Sequence, residues 1–355
     1  MQIFNKILFF RVINMRFSNL YYNYGYIRSL KKMILENIML FGMPNCESLT
    51  SKIAKILGIH VSKIQKTLYA DGERMLVSEE TVRNKDVYVV ASTSRPVNDN
   101  LMDLLLFVDS LKRASAKTIT IALSYYGYAR QDRKASGRQP IGAKLVADLI
   151  QTAGATKIIA VDLHNPAIQG FFNIPIDDLR GAYPIAKAVK ELNERFTVVS
   201  PDHGGTIRAR KLAELISNSV KISIIDKRRV GVNQTEVMGL IGEVEGQNAV
   251  IIDDIIDTGG TILKAVDTLK QHGANKIVVA ATHGIFTKGF EMFQNHPHVS
   301  KVIVTDSIDN SELLEKFDKL KVISLDTFLA GVIKASISGT SVSDLYDTIA
   351  DEIKQ

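Results

Sequence analysis

Apolar residues along the chain fall into short runs that alternate with longer amphipathic segments. In the first half, strands are predicted at residues 86–90, 118–123 and 157–161, and helices at residues 101–112 and 141–153. The runs are rich in Val and Ile, which favour strands, and Gly154 closes the second helix.

The second half of the chain repeats this alternation. Strands are predicted at residues 196–200, 222–225, 249–252 and 277–281, and helices at residues 206–216 and 261–271. Apolar strands that alternate with helices are typical of parallel sheets covered by helices on both faces. The chain is therefore predicted to be an α/β protein whose ligands bind beyond the carboxyl ends of the strands.

Two domains are expected, because 355 residues exceed what one hydrophobic core usually organises. The least regular stretch, residues 173–183, is the predicted boundary. Residues 33–182 would then form an N-terminal domain and residues 183–355 a C-terminal domain. Residues 1–32 are expected to lie outside the fold.

The formal net charge of +6 comes from the N-terminal segment. Residues 1–32 hold six of the 44 Lys and Arg and no acidic residue, which leaves 38 basic residues against 38 acidic ones. This balance gives no support to nucleic-acid binding. Two interpretations of this acid-free segment stay open, an organellar targeting peptide and a non-functional extension. Its apolar runs are too short to span a membrane.

The number of cysteines indicates the redox environment of the protein. Cys46 is the single cysteine, so neither an intrachain disulfide nor a cysteine-based zinc site is expected. A reducing, cytoplasmic setting is the simplest interpretation, with no membrane association.

The strongest chemical signal follows the strand predicted at residues 249–252. Adjacent Asp253 and Asp254 precede a Gly- and Thr-rich turn, residues 257–261, where the next helix begins. The start of a helix presents backbone N–H groups and a positive dipole end, which suit a phosphate. The two carboxylates would repel phosphate and suit sugar hydroxyls or a metal instead. The turn lacks the Gly-Lys-Ser/Thr ending of a Walker A loop, and the bland alternative is an Asp-capped helix.

Three further segments are ambiguous by themselves. Residues 126–134 place two arginines beside tyrosine rings, which suits phosphates and purines but also describes a solvated basic loop. Residues 71–73, Asp-Gly-Glu, are most often a tight turn, and residues 226–229, Asp-Lys-Arg-Arg, a solvated charge cluster.

Two polar residues follow predicted strands. His164 comes after the strand at residues 157–161, and Asp202 after the strand at residues 196–200. A lone histidine is more often structural than a ligand, although the matching positions of these two residues favour a shared site.

Taken in order, these motifs resemble those of ribose-phosphate pyrophosphokinases, from about residue 33 to about residue 345. Residues 253–261 look like the phosphoribosyl-binding loop that this family shares with phosphoribosyltransferases. Residues 71–73 and 126–134 match the family's ATP-binding loops, for which a phosphoribosyltransferase has no use. The resemblance implies two similar phosphoribosyltransferase-like domains, each a mainly parallel sheet flanked by helices.

The resemblance also implies roles for individual residues. The ribose 5-phosphate site would comprise Asp253 and Asp254 on the 2- and 3-hydroxyls, with Asp257, Thr258, Gly259, Gly260 and Thr261 on the phosphate. ATP binding is implied for Asp71, Glu73, Arg130 and Gln131. Mg²⁺ binding is implied for His164 and Asp202, and catalysis for Lys227 and Arg229 in a mobile loop.

The implied reaction is attack of the anomeric hydroxyl of ribose 5-phosphate on the β-phosphorus of Mg-ATP, which yields phosphoribosyl pyrophosphate and AMP. The family suggests a cytoplasmic homohexamer. A phosphoribosyltransferase and a non-catalytic regulatory homologue stay open as alternatives, although the former would be shorter and the latter typically carries altered catalytic loops.

The chain departs from the family pattern at several positions. Proline is usual at the positions of Ser124, Val230 and Gly284, threonine at Gly142, and Phe-Ser in place of Tyr69-Ala70. Residues 136–139 differ more from the loop that serves phosphate or ADP regulation in bacterial relatives. None of these departures removes a charged catalytic group.

Overall fold

The computed structural model describes residues 35, 37–217, 221–231 and 234–354, with backbone alone for residues 227–231 and 234–238. Its strands are β1 Ile38–Gly42, β2 Val61–Ser62, β3 Ile64–Leu68, β4 Arg74–Ser78, β5 Asp86–Ser92, β6 Thr118–Tyr125, β7 Lys157–Val161, β8 Ile176–Leu179, β9 Phe196–Ser200, β10 Ile222–Gly231, β11 Gln234–Ile241, β12 Asn248–Ile256, β13 Ile277–Gly284, β14 Val299–Thr305 and β15 Leu320–Ile323. Its α-helices are α1 Glu47–Leu57, α2 Val97–Arg113, α3 Gly142–Ala153, α4 Ala182–Lys190, α5 Thr206–Ile216, α6 Gly260–Gln271, α7 Glu291–Gln294, α8 Ser311–Leu314, α9 Asp326–Ser338 and α10 Val342–Lys354. Every strand and helix predicted between residues 86 and 281 is present.

The strands form two large sheets. The first has the order β2-β1-β5-β6-β7-β8, and all of its strands are parallel. The second has the order β11-β10-β9-β12-β13-β14-β15 and is parallel except for the antiparallel pair β10–β11. Helices cover both sheets, so the predicted α/β class with two similar parallel-sheet units is confirmed.

Alternating side chains of the central strands explain why each sheet is covered on two faces. In β5, Val87 and Val89 pack with α2, whereas Tyr88 and Val90 pack with α1 and α9. In β12, Ile251 packs with α6 on one face, and residues on the other face pack with α4 and α5. Both strands are apolar on both faces and are therefore buried in the middle of their sheets.

The two halves share packing across the predicted boundary. Helix α9, from the C-terminal end of the chain, places Phe328 and Leu329 in the apolar cluster beneath the first sheet. Residues 173–183, expected to be irregular, contain the edge strand β8, because Ile176 to Leu179 pair with β7. The division into residues 33–182 and 183–355 stays a prediction, and α9 belongs by packing to the first sheet.

A small antiparallel hairpin, β3–β4, stands apart from both sheets. The hairpin is tied to α2 by the buried carboxylate of Asp103, which accepts from Lys66 Nζ at 2.6 Å and Arg74 Nη1 at 3.3 Å. Arg74 also pairs with Asp99 at 2.6 Å. The ion pairs fix the hairpin on the helix and leave its tip exposed.

None of the helices in the described part of the chain is both long and apolar enough to cross a membrane.

Candidate active site

Polar residues that follow several parallel strands come together at the carboxyl edges of the sheets, where α/β proteins bind ligands. Asp162 follows β7, Asp253 and Asp254 lie near the end of β12, and Thr282 lies near the end of β13. The hydroxyl of Thr282 donates to Asp162 Oδ2 and joins the two halves. Asp162 itself has a φ of 50°, in the left-handed region that non-glycine residues seldom adopt outside functional sites.

The loop between β12 and α6 is the predicted phosphate-binding loop, and a glycine in the left-handed region shapes it. Gly259 has a φ of 79°, and a Cβ atom at this position would lie 2.7 Å from Met292 Sδ and 2.8 Å from Phe293 Cζ. Only glycine fits there without strain. Helix α6 begins at Gly260, so Asp257, Thr258 and Thr261 lie around the positive end of its dipole.

Asp257 connects the predicted phosphate loop to the predicted nucleotide loop. Arg130 Nη1 donates to Asp257 Oδ2 at 2.7 Å, and the hydroxyl of Thr287 donates to Oδ1. Arg130 comes from the loop after β6, and Thr287 from the loop after β13. Two residues assigned to different substrates thus touch within one chain.

Asp253 and Asp254 share one guanidinium. Arg208 Nη1 lies 3.2 Å from Asp253 Oδ1, and Arg208 Nη2 lies 3.4 Å from Asp254 Oδ1. Burial, followed by the neighbouring charge of Asp254, raises the pKa of Asp253. Burial alone would also raise the pKa of Asp254, but the hydrogen bond from His164 and the charge of Arg208 hold that pKa below its usual value. The pair therefore combines one strongly anionic carboxylate with one that gains a proton more readily.

His164 forms a hydrogen bond with the carboxylate of Asp254. Its Nδ1 lies 2.6 Å from Asp254 Oδ2, and this hydrogen bond raises the pKa of His164 against the opposing effect of burial. Because Asp254 holds Nδ1, Nε2 is the ring nitrogen that would contact a metal ion or a substrate oxygen. Its predicted role in Mg²⁺ binding stays a prediction.

Asp202 lies in the loop between β9 and α5, where its Oδ1 accepts from the backbone N–H of Gly205 at 3.0 Å. Its charge acts on both Asp253 and Arg208, which places it beside the carboxylate pair. Among the described residues, no three His, Cys, Asp or Glu side chains form a metal-binding group by themselves. A few exposed carboxylate oxygens beside a phosphate cradle nevertheless fit Mg²⁺, which takes part of its coordination from water and substrate phosphates.

The remaining nucleotide-side predictions occupy two places. Gln131 lies beside Arg130, and its Oε1 would be 2.7 Å from a Cβ atom at position 142, so Gly142 leaves room for it. Asp71 and Glu73 lie at the exposed tip of hairpin β3–β4, where Asp71 Oδ1 accepts from the Glu73 N–H at 3.0 Å. In the described part of the chain, no hydrogen bond or ion pair joins this tip to Arg130.

Lys227 and Arg229 lie on β10, but their side chains are outside the described residues. The backbone around them forms an antiparallel hairpin with β11 at the position where the resemblance implied a mobile loop. Lys227 pairs with Val237 and Arg229 with Thr235 in the antiparallel β10–β11 ladder. The catalytic roles of the two residues stay predictions.

The departures from the family pattern have local explanations. Ser124 Oγ donates to the carbonyl of Ser307 at 2.7 Å, a bond between the two halves that proline could not make. In the loop at residues 136–139, the side-chain oxygen of Gln139 accepts from the N–H groups of Ala135 and Ser136 at 2.9 and 3.2 Å. The Gln139 side chain therefore holds this loop together through hydrogen bonds to its own backbone. Val230 lies among the residues whose side chains are not described.

Arg208 and Thr287 were not predicted from the sequence. Arg208 had a detectable signal, because it lies in the first turn of α5, where a cation opposes the helix dipole. Such a position indicates an anionic partner elsewhere. Thr287 carried no comparable signal, since its contact with Asp257 depends on how two distant loops meet.

Two mainly parallel sheets, with paired carboxylates and a glycine-containing turn before a helix at their carboxyl edges, define a phosphoribosyltransferase-like α/β protein. Residues 38–154 match the family model for the N-terminal domain of ribose phosphate pyrophosphokinase, and residues 210–347 match the phosphoribosyl synthetase-associated domain. The chain therefore belongs to the ribose-phosphate pyrophosphokinase family, as the motifs predicted.

Individual relatives agree over nearly their whole length. The chain is 60% identical to the ribose-phosphate pyrophosphokinase of Mycoplasmopsis pulmonis over 88% of this chain and 97% of the relative. It is 45% identical to that of Bacillus subtilis over 88% and 98%. The crystal structure of phosphoribosylpyrophosphate synthetase from Mycobacterium smegmatis superposes with a TM-score of 0.78 at 38% identity, covering 85% of this chain and 99% of that one.

Proposed function

We propose that this enzyme transfers the β,γ-diphosphoryl group of ATP to the anomeric hydroxyl of ribose 5-phosphate. The new bond joins the anomeric oxygen to the β-phosphorus, the bond from that phosphorus to the α-phosphate oxygen breaks, and the hydroxyl proton is lost. The products are phosphoribosyl pyrophosphate and AMP. Membership of the family supports the reaction class. The observation that carries the proposal is the 2.7 Å contact between Arg130 and Asp257, because it brings the two predicted substrate loops together.

The pentose phosphate would bind at the β12–α6 loop. Residues 257–261 would take the 5-phosphate on backbone N–H groups and hydroxyls at the start of α6. Asp253 and Asp254 would accept from the 2- and 3-hydroxyls. Gly260, where no heavy atom lies within 4 Å of a Cβ position, would let the phosphate approach the backbone closely.

The nucleotide would lie on the side of Arg130 and Gln131. An arginine fork suits both a phosphate and the face of a purine, so Arg130 would exchange Asp257 for ATP when the nucleotide arrives. Asp71 and Glu73 would complete the nucleotide contacts. Lys227 and Arg229 would neutralise the charge that develops on the transferring oxygens.

Mg²⁺ fits this site as the cofactor, with Asp202 and His164 as the residues that would hold it. When bound with ATP, the ion neutralises phosphate charge and orients the diphosphoryl group. The chain's own contribution is to hold the anomeric oxygen in line with the β-phosphorus and to exclude water from it.

The proposal extends to the assembly and the cell. By family resemblance, we expect a homo-oligomer, namely a hexamer, that works in the cytoplasm without a nucleic-acid or membrane partner. The buried, reduced thiol of Cys46 is compatible with that compartment.

The test is product analysis. Purified chains that start at Met1 and at Met33 are incubated with Mg-ATP, with and without ribose 5-phosphate and with no nucleobase, and AMP and phosphoribosyl pyrophosphate are quantified. We expect equal amounts of both products, and only when the sugar phosphate is present. A chain that binds ribose 5-phosphate and releases no AMP would contradict the proposal.

The catalytic assignment has its own test. Lys227→Ala is expected to lower turnover at least ~10²-fold, by comparison with the loss of one preorganised charge stabiliser. Lys334→Ala, at an exposed position on α9, is the matched control and should retain full turnover. Near-normal turnover of Lys227→Ala would remove Lys227 from the mechanism.

A further inference from the structure

Arg208 is an arginine for which neither the motifs nor the proposed reaction has a role. It lies in the first turn of α5, and 17% of its side chain is exposed. Its guanidinium reaches three carboxylates: Asp253 at 3.2 Å, Asp254 at 3.4 Å and, through Nε, Asp162 at 3.9 Å. These acids come from both sheets, so one cation lies where the two halves meet.

A cation at the position of Arg208 costs free energy unless its interaction with the carboxylates offsets that cost. A cation in the first turn of a helix opposes the dipole, and a buried cation loses hydration. Two adjacent carboxylates also repel each other, and a positive charge that contacts both of them offsets that repulsion. The guanidinium stays charged at every accessible pH, so it compensates for the negative charges of both Asp253 and Asp254.

The contacts also fix geometry. Separate nitrogens of one planar group hold Oδ1 of Asp253 and Oδ1 of Asp254, and His164 holds the second oxygen of Asp254. A planar fork sets the relative orientation of two carboxylates, which a single ammonium group does not. Two acceptors in a fixed relative orientation match two hydroxyls on neighbouring carbons.

We propose that Arg208 is a positioning and specificity residue, which holds Asp253 and Asp254 as a paired acceptor for the vicinal 2,3-diol of the pentose phosphate. The enzyme thereby selects ribose 5-phosphate over 2-deoxyribose 5-phosphate, since the deoxy sugar lacks one of the two hydroxyls and leaves one carboxylate without a hydrogen bond from the sugar. This inference rests on the proposed function and adds a determinant of substrate choice to it.

The expected effects are separable from a loss of folding. Arg208→Lys keeps the charge but removes the fork, and Arg208→Gln removes both. The KM for ribose 5-phosphate should rise at least ~10-fold in Arg208→Lys and more in Arg208→Gln, the range of one hydrogen bond to a charged group. The KM for ATP should change less than about threefold, because no hydrogen bond or ion pair among the described residues joins Arg208 to Arg130 or Gln131. The preference for ribose over 2-deoxyribose 5-phosphate should shrink by a similar ~10-fold factor.

The experiment combines steady-state kinetics for both sugars with calorimetric binding of each sugar to the full-length protein and its variants. Arg210→Gln is the matched control, because this neighbouring arginine of the same helix is exposed. Thermal melting of each variant identifies any that fail to fold. If both Arg208 variants fail, the wild-type binding comparison decides, and equal affinities for the two sugars would overturn the inference.

Different results would contradict the proposed function and the role of Arg208. A wild-type enzyme that releases no AMP from ATP and ribose 5-phosphate contradicts the proposed function. An active wild type whose folded Arg208 variants keep the sugar preference, or lose affinity for ATP and sugar equally, overturns the role of Arg208 alone. The role of Arg208 is supported if Arg208→Lys binds ribose 5-phosphate more tightly than Arg208→Gln but does not recover the preference for ribose over 2-deoxyribose 5-phosphate.

Discussion

The two adjacent glycines of the phosphate loop are predicted to respond in opposite ways to a single methyl group. In Gly259→Ala, the new Cβ meets Met292 and Phe293 at under 3 Å in a left-handed backbone. The left-handed conformation costs about 1–2 kcal/mol and overpacking about 1–3 kcal/mol. We therefore expect Gly259→Ala to destabilise the ligand-free protein by about 2–5 kcal/mol. In Gly260→Ala, no heavy atom lies within 4 Å and the residue begins a helix, so a gain of about 0.5–1 kcal/mol is expected.

The assay separates stability from binding. Urea unfolding without ligand should show Gly259→Ala below the wild type and Gly260→Ala at or above it. Affinity for ribose 5-phosphate should nevertheless fall about 10–100-fold in Gly260→Ala, because the methyl group occupies space that the phosphate needs and one charged hydrogen bond is lost. A Gly260→Ala protein that binds ribose 5-phosphate like the wild type would refute the assignment of this loop. Equal stability of both variants would refute the packing argument.

Three further predictions concern groups outside the reacting centre. Asp103→Ala should lower the free energy of unfolding by about 2–3 kcal/mol, since it removes the buried carboxylate that Lys66 and Arg74 share, whereas Asp99→Ala, at a half-exposed pair, should cost less than about 1 kcal/mol in the same urea titration. Burial raises the pKa of Asp178 to about 6, so its favourable contribution is complete near pH 4 and is lost as the pH rises through 6. Asp178→Asn should therefore be more stable than the wild type at pH 7.5, by up to about 3 kcal/mol, and equal to it near pH 4; equal stability at both pH values would contradict this. Burial also raises the pKa of Cys46 to about 12, so a thiol reagent at pH 8 should modify it only after unfolding, and rapid reaction of the folded protein would argue against that environment.

Local patterns predicted the elements that carry the phosphate loop. Strand β12 and helix α6 were recognised because apolar residues of each follow its own period, and the cradle lies between them. The carboxyl-edge rule predicted that polar residues after different strands gather at one edge, and in the structure His164, after β7, contacts Asp254 of β12. Short strands before residue 86 were missed, because β2 and the hairpin β3–β4 are too short or too exposed to show a clear period.

Features set by distant parts of the chain were not predictable. The packing of α9 against the first sheet depends on contacts between residues 248 positions apart, such as the hydrogen bond from Tyr88 to Ser336. The guanidinium of Arg208 joins acids from both sheets, and no local spacing shows that they meet. The extension of β10 through Lys227 and Arg229 depends on pairing with β11, which overrode a charged segment that otherwise indicates a loop.

The central claim is that one site joins a nucleotide loop to a pentose-phosphate cradle for transfer of a diphosphoryl group. The most direct measurement is a single-turnover reaction with ATP labelled on the β-phosphorus, ribose 5-phosphate and no nucleobase. We predict that the label moves to phosphoribosyl pyrophosphate while unlabelled AMP appears in equal amount. Label that remains in ADP or appears as free phosphate or pyrophosphate, with no labelled sugar product, would contradict the account.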